Sequence, residues 1–365
     1  MKVLYLLNHA GKAGTERYVQ TLIEKLNNKR IKAYFAYNEE GLLVERLKNA
    51  GVDTFQINMR NPFDIKAAYK LSGLCKKLGI NLIHTQFLRE NYIAVLSRIF
   101  NPRVKAMYTN HFVIPNNMIQ KFCNRLVTPF DSNIITVCNK GREMLIANGN
   151  KASRIKVIFN GVDTSYWRES VESNMRNELG ITDNEFVMLC ASRFAHDKGH
   201  KYLVDSINKL KKMTDKKFKC VLAGDGPLLD DVKKQVSDLG LNNEIIFTGF
   251  RSDIKNLFMG SDLYVNSSEH EALSFLIIEA LASGLPVIAT DMGGNSDIIN
   301  AETNCGILVE YNNPESMAKG ILKIMSDENM LKKLKKNALK AVEDKFNLDK
   351  VVDRTYNLYV ESVGS

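Results

Sequence analysis

The segment that decides the fold is SEHEALSFLIIEALASGLPVIAT, residues 268–290. Its apolar centre has the length of a short helix, and Gly284 and Pro286 are residues that end helices. The next four residues, 287–290, are apolar or β-branched and predict a short buried strand. A helix that leads directly into a buried strand is the repeating unit of a parallel α/β sheet.

Two carboxylates, Glu271 and Glu279, frame the start of this predicted helix. In a parallel α/β sheet, ligands bind at the loops between strand ends and helices, and a helix N-terminus favours anions. Glu271 in the loop and Glu279 in the second helical turn would hold neutral hydroxyl groups beside such an anion. The predicted ligand is therefore a sugar nucleotide.

The alternation of strand and helix extends over the whole chain. Strands are predicted at 3–7, 32–37, 81–84, 105–109 and 133–137, and again at 186–191, 218–223, 244–247, 262–265 and 287–290. Helices are predicted at 15–26, 65–78 and 91–99, and at the end of the chain at 329–345 and 348–363. A chain of 365 residues suits two domains. The predicted class is α/β, with two doubly wound domains that face each other across a cleft and a connection near residues 160–180.

Charge is distributed unevenly along the chain. Residues 1–156 contain 25 Lys and Arg against 10 Asp and Glu, a net charge of +15, and the remainder contains 25 against 31, a net charge of −6, which gives the total of +9. This asymmetry indicates an anionic partner for the first half, either nucleic acid or an anionic membrane surface. A solvated basic face is the alternative explanation.

One basic segment of that half, residues 116–130, has the pattern of an amphipathic helix. Its apolar positions have helical spacing and two cations flank them: Met118, Ile119, Phe122 and Leu126, with Lys121 and Arg125. Such a helix can lie in a membrane interface. Packing against its own domain is the commoner arrangement and is the one that we expect.

The cysteine pattern and the N-terminal residues indicate the cellular compartment in which the protein is found. The six cysteines are scattered without a CxxC pair, which predicts reduced thiols and no zinc site. The first apolar run ends at Asn8, so it is too short for a signal peptide. No run of about 18 apolar residues is present to span a membrane. We expect a cytoplasmic protein, either free or peripheral at the inner face of the membrane.

Two cations follow the predicted strand 186–191, in the loop SRFAHDKG at residues 192–199. The planar guanidinium of Arg193 and the mobile ammonium of Lys198 could bind both phosphates of a diphosphate and stabilise it as it leaves. Each could also be an ordinary surface cation. Arg193 and Lys198, like Glu271 and Glu279, follow strand ends of one predicted sheet, which favours a common site.

The first domain offers fewer candidates. Gly11 and Gly14 follow the first strand, where they could let the backbone approach a ligand or could serve only packing. His111 follows the predicted strand 105–109 and is the histidine best placed to face the cleft, although a structural role is the alternative. The six histidines fit no metal-binding spacing.

In their order and spacing these motifs resemble glycosyltransferase family 4, a family of retaining enzymes with the two-domain GT-B fold. Besides the segments quoted above, the matching pieces are VIFNGVD at 157–163, AGDGP at 223–227, FTGFRSD at 247–253, and Gly293 with Gly294. The resemblance implies transfer of a sugar from a nucleoside diphosphate, UDP rather than GDP, to a hydroxyl acceptor. The expected setting is cell-surface polysaccharide or glycolipid synthesis.

The resemblance also implies roles for single residues. Arg193 and Lys198 would bind the donor diphosphate, Glu279 the ribose, and Glu271 the hydroxyls of the donor sugar. His111 would lie near that sugar, and the backbone at Gly14 would approach the diphosphate and the acceptor. Leu273 and Ser274, at the start of the helix, are assigned to the donor as well. The leaving diphosphate serves as the base, in preference to a double displacement through Glu271, and neither a metal ion nor another cofactor is expected.

The implied domains are residues 1–163, which hold the acceptor, and residues 164–347, which hold the nucleotide sugar. The C-terminal helix, within 348–365, is expected to pack back on the first domain. One departure from the family pattern is Ala272, which stands where a Gly is usual. Ala would be strained there if the backbone required a positive φ.

Two other functions stay open. One is a sugar-nucleotide epimerase or phosphorylase on the same fold. The other is a nucleic-acid-binding module that uses the basic N-terminal half. The absence of interleaved aromatic platforms counts against nucleic acid. The expected partners are therefore a nucleotide-sugar donor and a glycan or lipid-linked acceptor, with contact to an anionic membrane as a further option.

Overall fold

A computed structural model describes residues 1–11, 14–28, 30–169 and 172–364 of the chain. The chain forms two compact units, one of Met1–Asn160 with Asp349–Ser365 and one of Gly161–Leu348. The sequence predicted a domain boundary after residue 163 and a C-terminal helix that rejoins the first domain from residue 348. In the structure the first unit ends at residue 160, and the chain rejoins it at residue 349.

The first unit contains a seven-stranded parallel sheet. Its strands are β1 (Lys2–His9), β2 (Lys32–Glu39), β3 (Asp53–Gln56), β4 (Leu82–Thr85), β5 (Lys105–Asn110), β6 (Asn133–Thr136) and β7 (Ile155–Val157). Its helices are α1 (Gly14–Leu26), α2 (Leu42–Asn49), α3 (Ile65–Leu78), α4 (Leu88–Phe100), α5 (Met118–Val127) and α6 (Asn139–Ala147). The strand order is β3-β2-β1-β4-β5-β6-β7.

The second unit contains a six-stranded parallel sheet. Its helices begin with α7 (Thr164–Arg168) and α8 (Met175–Glu178), and its strands are β8 (Phe186–Ala191), β9 (Phe218–Ala223), β10 (Ile245–Gly249), β11 (Leu263–Asn266), β12 (Val287–Thr290) and β13 (Gly306–Val309). The further helices are α9 (His200–Lys211), α10 (Leu229–Asp238), α11 (Ile254–Met259), α12 (Phe275–Ala282), α13 (Asn295–Ile298), α14 (Pro314–Ser326) and α15 (Glu328–Ala341). The strand order is β10-β9-β8-β11-β12-β13.

The last helix, α16 (Leu348–Gly364), lies almost wholly in the first unit. Lys25 Nζ lies 3.0 Å from Asp349 Oδ1, and Arg30 forms an ion pair with Asp353. The Tyr359 hydroxyl lies 2.6 Å from Nδ1 of His84, which is fully buried in β4. These contacts attach α16 to α1, to the turn after α1 and to the centre of the sheet.

The strands are buried because helices cover both faces of each sheet. In β8, for example, Val187, Met188 and Leu189 have no exposed surface although they point to alternate faces. On α9, apolar residues at helical spacing, such as Leu203, Ile207 and Leu210, pack in the core of the second unit.

The strand order reverses once in each sheet. In the first sheet the reversal lies between β1 and β4, and in the second it lies between β8 and β11. The loops after the two strands leave toward opposite faces at such a point and open a crevice at the carboxyl edge of the sheet. The site residues predicted from the sequence follow these strands or their immediate neighbours.

The structure differs from the prediction mainly at the sheet edges. The strands that the sequence did not reveal are β3, β7 and β13, and all three are edge strands. An edge strand needs less apolar surface than a central one; in β3 the four residues are partly or fully exposed. The helix predicted at 329–345 ends earlier, at Ala341, and a π-helical turn spans Val342–Phe346.

The prediction that α5 packs its apolar face on its own domain is wrong. The exposed fractions of Met118, Ile119, Phe122 and Leu126 are 79, 75, 62 and 56%. Asn124 is the one residue of α5 that is fully buried, and it accepts a hydrogen bond of 2.6 Å from the Tyr92 hydroxyl. No helix within the described ranges has the length and apolar character that crossing a bilayer requires.

Candidate active site

Two loops meet at the strand reversal of the second sheet. The loop after β8 ends at Gly199, whose φ is +64°, and a Cβ added there would lie 2.1 Å from the carbonyl oxygen of Ser267. The Ser267 hydroxyl donates to the carbonyl of Lys198 at 2.8 Å, and the Glu269 amide donates to the carbonyl of Asp197 at 2.8 Å. The loop after β8 is therefore fixed against the loop after β11.

This contact brings together charged side chains from the two loops. Lys198 Nζ lies 2.9 Å from Glu271 Oε1 and 3.4 Å from Asp197 Oδ2. Arg193 lies 3.9 Å from Asp197 and is 70% exposed, whereas the side chains of Lys198 and Glu271 are only 21 and 14% exposed. Asp197, which the sequence argument did not single out, thus connects the two predicted phosphate ligands.

The electrostatic balance at Lys198 favours its charged form. Burial by itself would lower the pKa of this ammonium, but the charges and hydrogen bonds of Glu271 and Asp197 outweigh burial, and the pKa is raised. Lys198 therefore presents a fixed positive charge at neutral pH. In the part of the chain that the structure describes, no group of three or more His, Cys, Asp or Glu side chains has the arrangement of a metal site.

The segment 268–290 folds as its sequence predicts. The helix is α12, it ends before Gly284, and residues 287–290 form β12. The Ser274 side chain caps the helix by accepting from the Ile277 amide at 3.4 Å, and Leu273 beside it is buried. Glu279 lies in the second turn and is only 2% exposed.

Both glutamates lie around Tyr264 of β11. Burial raises the pKa of the Tyr264 hydroxyl, and the charges of Cys190, Glu271 and Glu279 contribute in the same direction. The Tyr264 hydroxyl donates to the carbonyl of Ala191 at the end of β8, at 3.2 Å. The structure thus connects Arg193, Lys198 and Glu271 through Asp197 and the ion pair, and it places Glu279 in the helix that follows the same loop.

Ala272 is not strained, because the positive φ angle in this part of the site occurs at Gly293. Among the described residues, positive φ angles outside glycine occur at Asn28, Asn304 and Asn312, so Ala272 does not require one. The positive φ is at Gly293, where it is +55°. The Gly294 amide then donates to the Ala272 carbonyl at 2.8 Å. The paired glycines close over the loop that carries Glu271.

In the first unit, His111 contacts a buried glutamine. His111 Nε2 lies 2.9 Å from Gln86 Oε1, and the ring meets that of Tyr18 edge to face at 4.9 Å between centroids. Burial lowers the pKa of His111 to about 3, so the imidazole is neutral at physiological pH. A neutral ring that donates from Nε2 to Gln86 keeps a lone pair on Nδ1.

Sequence reasoning missed Gln86. It is fully buried directly after β4, at the strand reversal of the first sheet. The signal was present in the sequence as a polar residue directly after a buried strand. His84, two residues earlier, is buried, and its Nε2 lies 2.6 Å from the Thr109 hydroxyl. His84 therefore serves the attachment of α16 rather than a binding site.

Gly14 is the first residue of α1 and is exposed, at the helix that follows β1. The residues before it, Lys12 and Ala13, lie outside the described residues. Ala10 and Gly11 leave β1 at the strand reversal of the first sheet, and the Ala10 carbonyl accepts from the Leu43 amide at 3.1 Å. The structure thus places Gly14 and His111 in one unit and the charged cluster in the other.

Two family models match the chain, one after the other. The model described as Glycosyltransferase Family 4 matches residues 13–166, and the model described as Glycosyl transferases group 1 matches residues 171–341. The two matches together extend over nearly the whole chain.

Two curated relatives are similar in sequence. An uncharacterized glycosyltransferase of Methanocaldococcus jannaschii is 31% identical over 235 residues, which are 62% of this chain and 59%, less than two thirds, of that protein. The UDP-Gal:alpha-D-GlcNAc-diphosphoundecaprenol alpha-1,3-galactosyltransferase of Escherichia coli is 25% identical over 96% of this chain and 94% of its own length.

Two solved structures have the same fold. A glycosyltransferase from Rickettsia africae superposes with a TM-score of 0.88 and 26% identity over 99% of this chain and 98% of its own. HepE from Anabaena, solved in complex with UDP, has a TM-score of 0.86 and 22% identity over 98% of this chain and 99% of its own. This likeness shows that the fold is GT-B.

Proposed function

Because this chain belongs to glycosyltransferase family 4, we propose that it is a retaining transferase that uses a UDP-sugar donor. The acceptor is a hydroxyl group of a lipid-linked glycan. Glycosyltransferases of this type act in glycolipid or polysaccharide synthesis, and the proposal assigns this chain to a glycan destined for the cell surface.

The observation that carries the proposal is the ion pair between Lys198 and Glu271. It joins the loops on the two sides of the strand reversal, where α/β sheets bind ligands. A cation and a carboxylate 2.9 Å apart offer complementary contacts to a sugar diphosphate. Lys198 and Arg193, which lie on either side of Asp197, bind phosphate oxygens. Glu271 accepts hydrogen bonds from sugar hydroxyls. Glu279, buried in the second turn of α12, binds the ribose.

The proposed reaction needs no protein nucleophile. The bond between the anomeric carbon and the β-phosphate oxygen breaks, and Lys198 and Arg193 stabilise the negative charge that develops on the leaving UDP. The acceptor hydroxyl attacks from the same face and transfers its proton to the departing phosphate oxygen. The new glycosidic bond therefore retains the configuration of the donor. His111, held neutral beside Gln86, accepts a hydrogen bond from a hydroxyl of the donor sugar at Nδ1.

Names of similar proteins support the choice of donor and acceptor. The E. coli relative is named for a UDP-galactose donor and a diphosphoundecaprenol acceptor. A Campylobacter jejuni relative, 27% identical over 78% of this chain, is also named for a diphospho-undecaprenol substrate. HepE has been solved with UDP and with UDP-glucose. These names favour UDP over GDP and a lipid-linked acceptor over a free sugar.

A thermal-shift panel of UDP-, GDP- and ADP-sugars tests the donor assignment. We expect UDP-sugars to raise the melting temperature of the wild type and to lose this effect with Glu279→Ala. Glu315→Ala, which removes an exposed glutamate of the same unit, is the matched control and should keep the full shift. No shift with any nucleotide would overturn the transferase proposal. An equal shift with Glu279→Ala would overturn the ribose assignment alone.

Product analysis separates the transferase from other enzymes on this fold. Incubation with donor alone, and with donor plus orthophosphate, should leave the sugar nucleotide unchanged apart from slow hydrolysis. An epimerised donor or a sugar 1-phosphate would identify an epimerase or a phosphorylase instead.

A further inference from the structure

Helix α5 directs four large apolar side chains toward solvent. Toward the protein, Val127 packs against the core of the first unit, and Asn124 donates to the Asn148 carbonyl at 2.8 Å. The four residues with large exposed fractions point away: Met118, Ile119, Phe122 and Leu126. We call these four residues the α5 apolar face. Such a concentration of exposed large side chains marks an interaction surface.

The exposed surface continues into both flanking segments. Ile114, in the segment before α5, is 55% exposed, and Phe130, in the 3₁₀ turn after it, is 60% exposed. The helix itself is well capped, because Asn117 and Gln120 exchange side-chain to backbone hydrogen bonds at its start. A helix that is already formed loses little conformational entropy when it binds a partner.

The sequence segment that contains this surface carries charge of one sign. Residues 91–130 contain no Asp or Glu but contain five cations, Arg98, Arg103, Lys105, Lys121 and Arg125. Arg125 lies on α5 and is exposed. Asp131, which follows the segment, is buried, and burial raises its pKa to about 8. Exposed apolar side chains near cations are complementary to a partner that has an apolar interior and an anionic surface.

We propose that the α5 apolar face inserts into the interface of an anionic lipid bilayer. Met118, Ile119, Phe122 and Leu126 enter the boundary between headgroups and acyl chains, and the cations of the segment contact the anionic headgroups. The membrane occupant is preferred to a second copy of the chain because the segment 91–130 carries only positive charges, which would repel those of a second copy.

The position of this face relates it to the proposed acceptor site. The segment that leads to α5 begins at His111, and the ring of Phe112 stacks on Phe87, 5.5 Å between centroids. Membrane insertion of α5 would bring the carboxyl edge of the first sheet close to the bilayer surface, where a lipid-linked hydroxyl is presented. This part of the inference rests on the proposed function, whereas the membrane contact itself does not.

Sedimentation with vesicles, in the absence of donor and acceptor, tests the membrane contact. The vesicles contain phosphatidylcholine alone or with phosphatidylglycerol as the anionic lipid. The test variant is Ile119→Gln with Phe122→Gln. The matched control is Ile65→Gln with Phe250→Gln, which removes the same pair of side chains from positions that are 65 and 69% exposed outside α5. All the substituted side chains are exposed, so both variants should fold, which circular dichroism verifies.

We expect the wild type to bind the anionic vesicles, to bind neutral ones more weakly, and to lose affinity as salt is added. The test variant should lose about tenfold or more in affinity, and the control variant should bind like the wild type. Three outcomes would overturn the proposal: no binding of the wild type at low salt, equal loss in both variants, or a wild-type dimer in light scattering that the test variant alone converts to monomer. If vesicles bind but no nucleotide does, the membrane contact stands and the transferase proposal fails.

Discussion

Gly293 has no room for a β-carbon, because a Cβ added there would lie 1.5 Å from the carbonyl oxygen of Glu271. Gly293→Ala should therefore displace the loop that carries Glu271 as well as strain the backbone. A positive φ alone costs about 1–2 kcal/mol for Ala, and the contact should add about 1–3 kcal/mol. Urea unfolding measures the loss of stability, and the thermal shift with a UDP-sugar measures the loss of donor binding.

Gly240 provides the control for this substitution. Its φ is +64°, yet a Cβ at that position meets no atom within 4 Å. Gly240→Ala should show only the backbone cost and should bind the donor normally. Equal destabilisation by the two variants would mean that the contact with Glu271 is unimportant.

Lys198→Ala should lower kcat by about 100-fold or more, because it removes a fixed charge beside the leaving diphosphate. Lys201→Ala is the control: Lys201 is exposed in the first turn of α9, three residues further along the chain. Steady-state kinetics of sugar transfer measure both variants. A wild-type kcat in Lys198→Ala would contradict the assigned role.

Gln86→Glu should raise the pKa of His111, because it places a carboxylate 2.9 Å from Nε2 where a neutral amide now stands. If transfer requires the neutral ring, activity should fall at pH 6 and recover at higher pH as His111 loses its proton. Gln86→Met removes the hydrogen bond without adding charge and should not produce this pH dependence. The pH–rate profiles and an NMR titration of His111 provide the measurement. An unchanged His111 titration in Gln86→Glu would disprove the coupling.

Acid should destabilise the first unit through His84. Burial lowers the pKa of His84 in the folded state to about 3, whereas an unfolded histidine titrates near 6.5. As the pH falls below about 6.5 the unfolded chain takes up the proton first, so His84 alone lowers the free energy of unfolding by up to about 1.4 kcal/mol per pH unit until its folded pKa is reached. His84→Gln should lower the overall stability and reduce this slope by the His84 contribution, while the contribution of His111 remains. His196→Gln, which replaces an exposed histidine of the second unit, is the control for the loss of a histidine.

Removal of metal ions should not affect transfer. Arg193 and Lys198 supply the positive charge that a divalent cation would otherwise supply to the diphosphate. Activity after EDTA treatment should therefore equal that of the untreated enzyme. Activity that EDTA abolishes and magnesium or manganese restores would refute this prediction.

The sequence predicts the central strands of both sheets because their residues are buried on both faces and therefore apolar. It predicts the edges less well, since β3 and β13 contact the core through only part of their surface. The site follows the same division. Lys198 and Glu271 follow the apolar runs of β8 and β11, so the sequence reveals them as candidates. Their contact depends on the close approach of Gly199 to Ser267, which no local sequence pattern reveals.

Helix α5 shows where amphipathic periodicity stops being informative. The spacing of Met118, Ile119, Phe122 and Leu126 predicts a helix with one apolar face, and that helix is present. Periodicity does not say which way the face points. The direction is set by Asn124, whose side chain is bonded to Tyr92 and to the Asn148 carbonyl inside the first unit.

The return of α16 to the first unit has a consequence for synthesis on the ribosome. All seven strands of the first sheet have been translated by Val157, but Tyr359, the partner of His84, emerges only after the whole second unit. At about 5–20 residues per second, translation from Asn160 to Asp349 takes about 10–40 s. During that time the first unit lacks its last helix, so the nascent protein completes its N-terminal half last.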